Sequence, residues 1–327
     1  MPTLNYAEQY SPELLEILMQ GTLTSPFVTK NVRWLDAKTF HFTQMSTSGY
    51  KNHSRTGGWN KGSFTQTDVP FTVTHDRDIQ FLVDKADVDE TNATASVQNI
   101  SRVFEQTNAV PEADALFFSK VATKALATDN YHSSTATSAY TKANVFGKLK
   151  GFLATGKLRR YKAQGALIMY VTSAIMDLLE QSTEFTRKIE MTQIAEGGLG
   201  IETRVTNIDG VPIMEVIDDE RFYDSFDWSP EDGGFEPTKK VTADSSNGIE
   251  AVTGAHKINV LIACGQTCKS VPKISSIYFF APGAHTEGDG YLYQNRSLSD
   301  VFVFPNGKDG EIDSIYVDVD TTEYTGE

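Results

Sequence analysis

A chain of 327 residues, 39% hydrophobic and 22% charged, carries enough apolar material for one large domain or two to three smaller ones, which excludes bulk disorder. A net charge of −14, with a pI near 4.9, excludes a protein that wraps nucleic acid by overall attraction. Two cysteines, Cys264 and Cys268, exclude a disulfide framework and a four-ligand zinc site, and fit a reducing, intracellular setting.

No signal peptide is expected, because residues 1–4 lack a basic start, and no apolar run is long enough to span a bilayer. Ser11-Pro12-Glu13 opens a short helix with Leu14, Leu15 and Leu18 on one side, ended by Gly21. Residues 22–36 read as extended, since Ser25-Pro26 breaks any helix. This opening has little core of its own. It reads either as an arm that packs on something else or as the first strand of a sheet.

Residues 38–74 form the most unusual region. Phe40 and Phe42 alternate with polar residues, as do Phe64, Phe71 and Val73, and between them lies a polar stretch rich in Gly, Ser, Thr and Asn. The pattern predicts a long hairpin with a polar tip. From 38 to 67 there is no Asp or Glu, while Lys38, Lys51, Arg55 and Lys61 are present. A basic arm on an acidic protein suits an acidic neighbour; a mobile surface hairpin is the plain alternative.

Ile79, Phe81 and Val83 alternate as a further strand, and Val97, Ile100, Val103 and Phe104 mark a helix ending before Asn108. Residues 111–128 then predict the long helix around which the chain is organised. Pro111 suits its first position, and Glu112 and Asp114 its positive end. Ala113, Phe117, Phe118, Val121, Ala122, Ala125 and Leu126 share one face, with Ser119, Lys120, Thr123 and Lys124 opposite.

Residues 129–143 read as a Ser/Thr-rich loop or hinge. A helical stripe of Val145, Phe146, Leu149, Phe152 and Leu153 follows, stopped by Gly156; then come a buried strand at 167–171 and a helix at 173–181. From 130 to 176 there is again no acid, while Lys142, Lys148, Lys150, Lys157, Arg159, Arg160 and Lys162 are present. The eleven positive charges of the two acid-free blocks leave the rest of the chain at −25. Such segregation fits edges that meet on assembly, a face touching phosphate, or a solvated helix face.

Residues 201–217 predict a hairpin turning at Asn207-Ile208-Asp209-Gly210. The acids from Asp218 to Asp232 lack calcium-loop spacing and read as a solvated loop. Residues 237–255 read as polar and exposed. Buried strands are expected at Ile258, Val260 and Ile262 and at 274–280, and further strands from Tyr291, from Asp300 and from Ile315, with a turn at Asn306-Gly307. There is no P-loop, no H-E-x-x-H and no G-x-S-x-G, and the six histidines are scattered, so no catalytic, cofactor or metal residue is nominated.

Three segments, in this order, resemble the tailed-bacteriophage major capsid protein family: Val110-Pro111-Glu112-Ala113-Asp114, then Ile208-Asp209-Gly210-Val211-Pro212-Ile213, then Tyr293-Gln294-Asn295-Arg296-Ser297 leading through Asp300-Val301-Phe302-Val303 to Ile315-Tyr316-Val317. The resemblance covers nearly the whole chain and implies an α+β capsid fold. Residues 1–37 would be an N-terminal arm and 38–75 an extended β-hairpin loop. Residues 76–142 would form a peripheral domain with a spine helix cored by Phe117, Phe118 and Val121. Residues 143–237 would form an axial α/β domain, and 238–327 return strands completing both. Inter-subunit contacts would fall on Lys38, Lys51, Arg55, Trp59 and Lys61 of the loop and on Leu14, Leu15 and Leu18 of the arm. It also implies pentamers and hexamers closing an icosahedral shell around double-stranded DNA, held non-specifically on the inner face. A separate scaffolding protein and a portal protein would be partners, no membrane and no cofactor would be needed, and assembly in the host cytoplasm would yield a virion. Some members of the family crosslink a loop lysine to a neighbour's asparagine; Lys51 and Lys61 are available here, and nothing in the residues singles out either. The other readings are a bacterial nanocompartment shell of the same fold and, given the acidity and 13 tyrosines, a carbohydrate-active enzyme or binding protein.

Overall fold

The computed structural model describes residues 20–29, 34, 38–53, 55, 57, 59–86, 97–182, 189–192, 203–231, 233–243, 250–306 and 310–326. The expected first helix, with Leu14, Leu15 and Leu18, lies outside the described residues, as does Gly307 of the expected turn. Residues 25–27 form a 3-10 turn in what was expected to be an extended stretch, with Pro26 supplying a fixed φ inside it.

Strands β1 (Thr39–Thr47) and β2 (Phe64–Thr72) pair antiparallel, Thr39 opposite Thr72 and Thr47 opposite Phe64. β3 (His75–Asp84) follows at once. Helix α1 (Val97–Phe104) does not stop before Asn108 as its sequence suggests. A π-type turn at Glu105–Ala109 carries it into α2 (Val110–Leu126). Pro111 explains the widening: its ring would collide with the carbonyl one turn back in a regular α-helix.

β4 (His132–Ser134) lies in the segment expected to be a loop, where it adds a parallel edge strand. Helices α3 (Val145–Leu153) and α4 (Leu158–Ala163) precede β5 (Leu167–Thr172) and α5 (Ser173–Glu180). β6 (Ile189–Thr192), β7 (Thr203–Ile208) and β8 (Val211–Val216) follow. Asp209 and Gly210 both hold positive φ, 51° and 83°, in the tight turn that the Asp-Gly pair signals. After the two-residue strands β9 (Phe226–Asp227) and β10 (Glu236–Pro237) come β11 (His256–Cys264), β12 (Cys268–Phe280), β13 (Gly290–Val303) and β14 (Tyr316–Glu323).

Two larger sheets result: a seven-stranded one in the order β4-β14-β11-β5-β8-β7-β6, and a three-stranded one in the order β12-β13-β3. One core joins α2 to both, bringing Leu116, Phe117, Phe118 and Val121 against Tyr170, Leu261 and Val317 of the first and Val301 and Val303 of the second. A second core fills the other face of the seven-stranded sheet with Leu149, Leu153, Leu158 and Tyr161 under Met169, Ile213 and Val260.

Because α2 is wedged between two sheets, its polar face is not where the helical stripe places it. Phe117, Phe118 and Val121 are fully buried, but so are Asp114 and nearly so Ser119, while Ala113 is exposed. The acidic stretch from Asp218 is also partly interior: Asp224 is buried, and Asp219 meets Lys257 Nζ at 2.5 Å. It packs beside the start of β11, where Ile258 N donates to Phe222 O (3.0 Å) and Asp224 N to His256 O (3.0 Å). The strand expected to be buried at 274–280 is the reverse at its far end, with Ile277, Tyr278 and Phe279 each more than half exposed.

Candidate assembly interface

The hairpin β1–β2 joins no other strand among the described residues. Isolated two-stranded ribbons are marginal in water, so its stability must come from its ends. At the root, Phe40 and Val73 are buried against Val271, Leu298 and Phe304. Phe40 meets Phe302 edge-on at 5.1 Å and Trp34 at 5.5 Å, and Lys273 Nζ lies 3.9 Å over the Trp34 ring. Asp300, itself buried, accepts from Thr74 N (3.0 Å) and Thr74 Oγ1 (2.7 Å) and pairs with Lys120 Nζ of α2 at 3.1 Å. Asp76 takes Arg296 Nη2 at 2.8 Å and Lys38 Nζ at 3.9 Å, and the Arg296 hydrogen bond holds its carboxyl below the ordinary carboxylate range.

Away from the root the hairpin turns its apolar side chains outward. Trp59 is 94% exposed, Phe64 71%, Met45 62%, and Tyr50 completely. Polar contacts give the tip a shape: Ser48 N donates to Ser63 O (2.8 Å), Ser63 N to Ser48 Oγ (2.9 Å), Asn60 Nδ2 to Asn52 O (2.8 Å), and Lys51 Nζ to Lys61 O (3.4 Å). The residues nominated from sequence thus separate. Lys51, Arg55, Trp59 and Lys61 share the exposed tip, and Lys38 belongs to the root. Tyr50, Met45 and Phe64 were missed. Their signal was available, as large apolar residues inside or beside a polar, glycine-rich stretch.

A second exposed apolar region is the far end of the three-stranded sheet, formed by Leu82, Ile277, Tyr278 and Phe279. Phe279 stacks on Tyr291 (6.0 Å) and Tyr278 on Phe280 (6.4 Å), so both sheet faces are aromatic there. Nearby, a cleft of about 500 Å³ opens between β3–β13 and the α1–α2 run. Arg77 fastens its wall, donating through Nε to Glu112 Oε1 (2.8 Å), through Nη2 to Gly234 O (2.6 Å) and through Nη1 to Trp228 O. His75 Nε2 lies 3.0 Å from the same Glu112 oxygen.

The second basic block is largely committed within the subunit. Lys150 and Lys162 both reach Asp209, at 3.6 and 2.9 Å, and Lys157 reaches Glu311 at 2.9 Å. Lys148 Nζ lies 4.3 Å over the Tyr140 ring. Lys142, Arg159 and Arg160 are left exposed.

The segment 20–24 is bound to α2 through a buried ion pair. Arg221 Nη1 lies 3.0 Å from Asp114 Oδ2, and its Nη2 donates to Gln20 O (3.0 Å) and to Asp218. Asp114 also accepts from Leu23 N (3.0 Å), Thr24 N (3.2 Å) and Thr24 Oγ1 (2.6 Å). Burial pushes the Asp114 carboxyl up, and the Thr24 hydroxyl and the Arg221 charge oppose the push. Nearly every hydrogen-bonding position of this pair is filled, which is the condition for a buried pair to persist.

Among the described residues no group of three or more His, Cys, Asp or Glu side chains is placed to hold a metal ion, and no helix is long and apolar enough to cross a membrane. Both cysteines are buried thiols, and burial pushes that of Cys268 up to about 12.

No family model and no curated protein matches the chain. Solved structures do, over nearly its full length. The mature capsid of bacteriophage PhiM1 superposes with a TM-score of 0.59 at 12% identity, covering 96% of this chain and 92% of that one. The capsid of cyanophage P-SCSP1u gives a TM-score of 0.60 at 9% identity, covering 98% and 94%. A capsid chain of a native GTA particle gives 0.51 at 11%, covering 96% and 95%. The chain has the phage-capsid fold. The α+β architecture expected from the sequence is this one. Among the described residues, the exposed large apolar side chains lie mostly on the hairpin and on the far end of the three-stranded sheet.

Proposed function

We propose that the chain is the major capsid protein of a tailed phage, self-assembling into pentamers and hexamers of an icosahedral shell around double-stranded DNA. One observation carries the reading beyond the fold: a hairpin anchored at its root presents Tyr50, Trp59 and Phe64 to solvent, where no described residue covers them. Exposed apolar groups on an extended element mark a surface made to be buried by another molecule. Repetition of such contacts by symmetry turns modest individual contacts into a stable shell.

In this reading residues 1–37 are the arm, with Leu14, Leu15 and Leu18 as contacts, and 38–75 the loop, contacting a neighbour through Lys51, Arg55, Trp59 and Lys61, with Lys38 at its base. Residues 76–142 form the peripheral domain around α2. Residues 143–237 form the axial domain at the fivefold and sixfold axes, and 238–327 complete both. A separate scaffolding protein, a portal protein and non-specifically held DNA are the partners. The role is structural rather than enzymatic, with assembly in the host cytoplasm and residence in the virion. Purified chain, supplied with its scaffold, forms capsomers or closed shells in negative-stain images. A strict monomer at every concentration and salt overturns the proposal.

A further inference from the structure

We propose that the two ends of the seven-stranded sheet are the two halves of one contact: the basic end of one copy, carried by α4, meets the acidic end of the next copy, head to tail, around each capsomer. This rests on the shell reading and names the surfaces that build its rings.

The strand register fixes what lies at each end. Leu167 of β5 pairs with Cys264 of β11, Ile262 of β11 with Tyr316 of β14, and Ile208 of β7 with Val211 of β8, so the starts of β5 and β14 lie beside the Asp209-Gly210 turn. α4 stands at that end, with Lys162 against Asp209 and Lys157, just before it, against Glu311 (both 2.9 Å). At the other end Thr172 of β5 pairs with Val216 of β8, and His256 of β11 with Glu323 of β14. The acidic stretch runs on directly from there and is fixed by the bridge between Tyr223 and Lys257.

What remains after the internal pairs is opposite in sign. At the basic end the acids are occupied: Asp209 is shared by Lys150 and Lys162, and Lys157 serves both Glu311 and, at 3.8 Å, Asp313. Arg159 and Arg160 are exposed, with no described acid at ion-pair distance. At the acidic end the cations are occupied instead: Arg221 by Asp114 and Asp218, Lys257 by Asp219, Lys239 by Glu236 (2.9 Å) and Lys240 by Glu323 (2.5 Å). Glu220 and Asp227 are exposed, with no described cation at that distance. Ile217, Val241 and Val252 are exposed at the same end, apolar area for a partner to cover.

The nine residues of β11 hold the ends about 30 Å apart at ~3.4 Å per residue, several times the ~8 Å screening length, so the two charges do not neutralise each other within one copy. A twofold contact would set each end against its like. A head-to-tail contact sets unlike ends together and can close into a ring. A phosphate polymer on α4 would engage the basic end alone and leave the acidic end and its apolar residues uncovered.

The test joins the ends covalently. Arg160→Cys and Glu220→Cys are introduced into separate chains, which are mixed, assembled and treated with a short bismaleimide; the native thiols are buried. A crosslinked pair of the two variants is expected in assembled particles and lost in dispersed subunits. Particles that assemble without this product overturn the proposal and leave the shell reading standing. Charge reversal gives a second arm. Arg159→Glu with Arg160→Glu should lose capsomers at low salt with unchanged thermal unfolding, and adding Glu220→Lys with Asp227→Lys should restore them. Normal assembly of the first variant, or no recovery in the combined one, overturns the proposal; normal shells that no longer retain DNA would give the basic end to the polymer instead. Failure of the unmodified chain to assemble is read separately and removes the shell reading together with this inference.

Discussion

The hairpin and the seven-stranded sheet are written in similar strand patterns but differ in where their side chains end up. In the sheet, β11 buries Ile258, Val260, Leu261 and Ile262 completely between two helical layers. In the hairpin, the root is buried, and Met45, Tyr50, Trp59 and Phe64 face water. The sheet carries polar groups inside as well, Asn259 and Asp318 among them. Asp318 accepts from Tyr140 Oη (2.6 Å), Asn259 Nδ2 (3.0 Å) and Thr135 Oγ1 (2.8 Å), so that β4, β11 and β14 are fixed in one register. The difference teaches that stability and assembly are assigned to different residues. Changes in the body should unfold the subunit, and changes at the tip should leave a folded subunit that fails to associate.

The largest expected effect is on the body. Arg221→Ala strands the Asp114 carboxylate without its cation, and breaking a buried pair in this way costs about 3–5 kcal/mol; a fall in the urea midpoint and in soluble yield measures it. Tyr140→Phe is smaller. It leaves one Asp318 oxygen a donor short, for a loss of about 1–3 kcal/mol by the same measurement.

Trp59→Ala sharpens the contrast from the other side. Its thermal unfolding stays within about 0.5 kcal/mol of the parent, as for exposed positions generally, while capsomer formation in sedimentation runs is lost; a destabilised subunit would break the distinction. Changing Lys51, Arg55 and Lys61 together to Gln weakens assembly at low salt, with the difference from the parent shrinking as salt shortens the screening length. An unchanged assembly curve at moderate salt would make those charges incidental.

The smallest effect is at the hairpin root. Arg296 lowers the Asp76 carboxyl below its ordinary value of 3.8, so the tie is intact above that value and is lost as pH falls through the lowered one. Amide exchange at the start of β1, corrected for its intrinsic pH dependence, should quicken on acidification below about pH 4. Asp76→Asn should exchange quickly at every pH; if it retains the parent's pH dependence, another group controls the root.

Much of the architecture was legible because it depends on near neighbours in sequence. The alternation at Ile79, Phe81 and Val83 is β3, the stripe from Val145 to Leu153 is α3, and Asp209-Gly210 adopts the left-handed conformations that its residue types favour. What was not legible depends on distant partners. Asp114 looks like a helix-dipole residue until Arg221, 107 residues away, is brought against it. β4 carries no apolar alternation, and its place is set by β14. The run from Ile277 to Phe279 reads as core, because an apolar stretch has the same composition whether its own body or another molecule covers it. The hairpin tip could be picked out by its charge and polarity, and its large apolar residues stand out in that polar stretch; how far each is uncovered appears only once the strands are paired.

Asp300 has a mechanical consequence. The carboxylate grips Thr74, where the hairpin returns to the body, and through its other oxygen it grips Lys120 on the long helix. The hairpin therefore lacks a loose joint at that end. A tug on its tip is handed through one side chain to β13 and α2 together, so a shell changing curvature would rock each subunit as a unit instead of bending its outstretched finger at the knuckle.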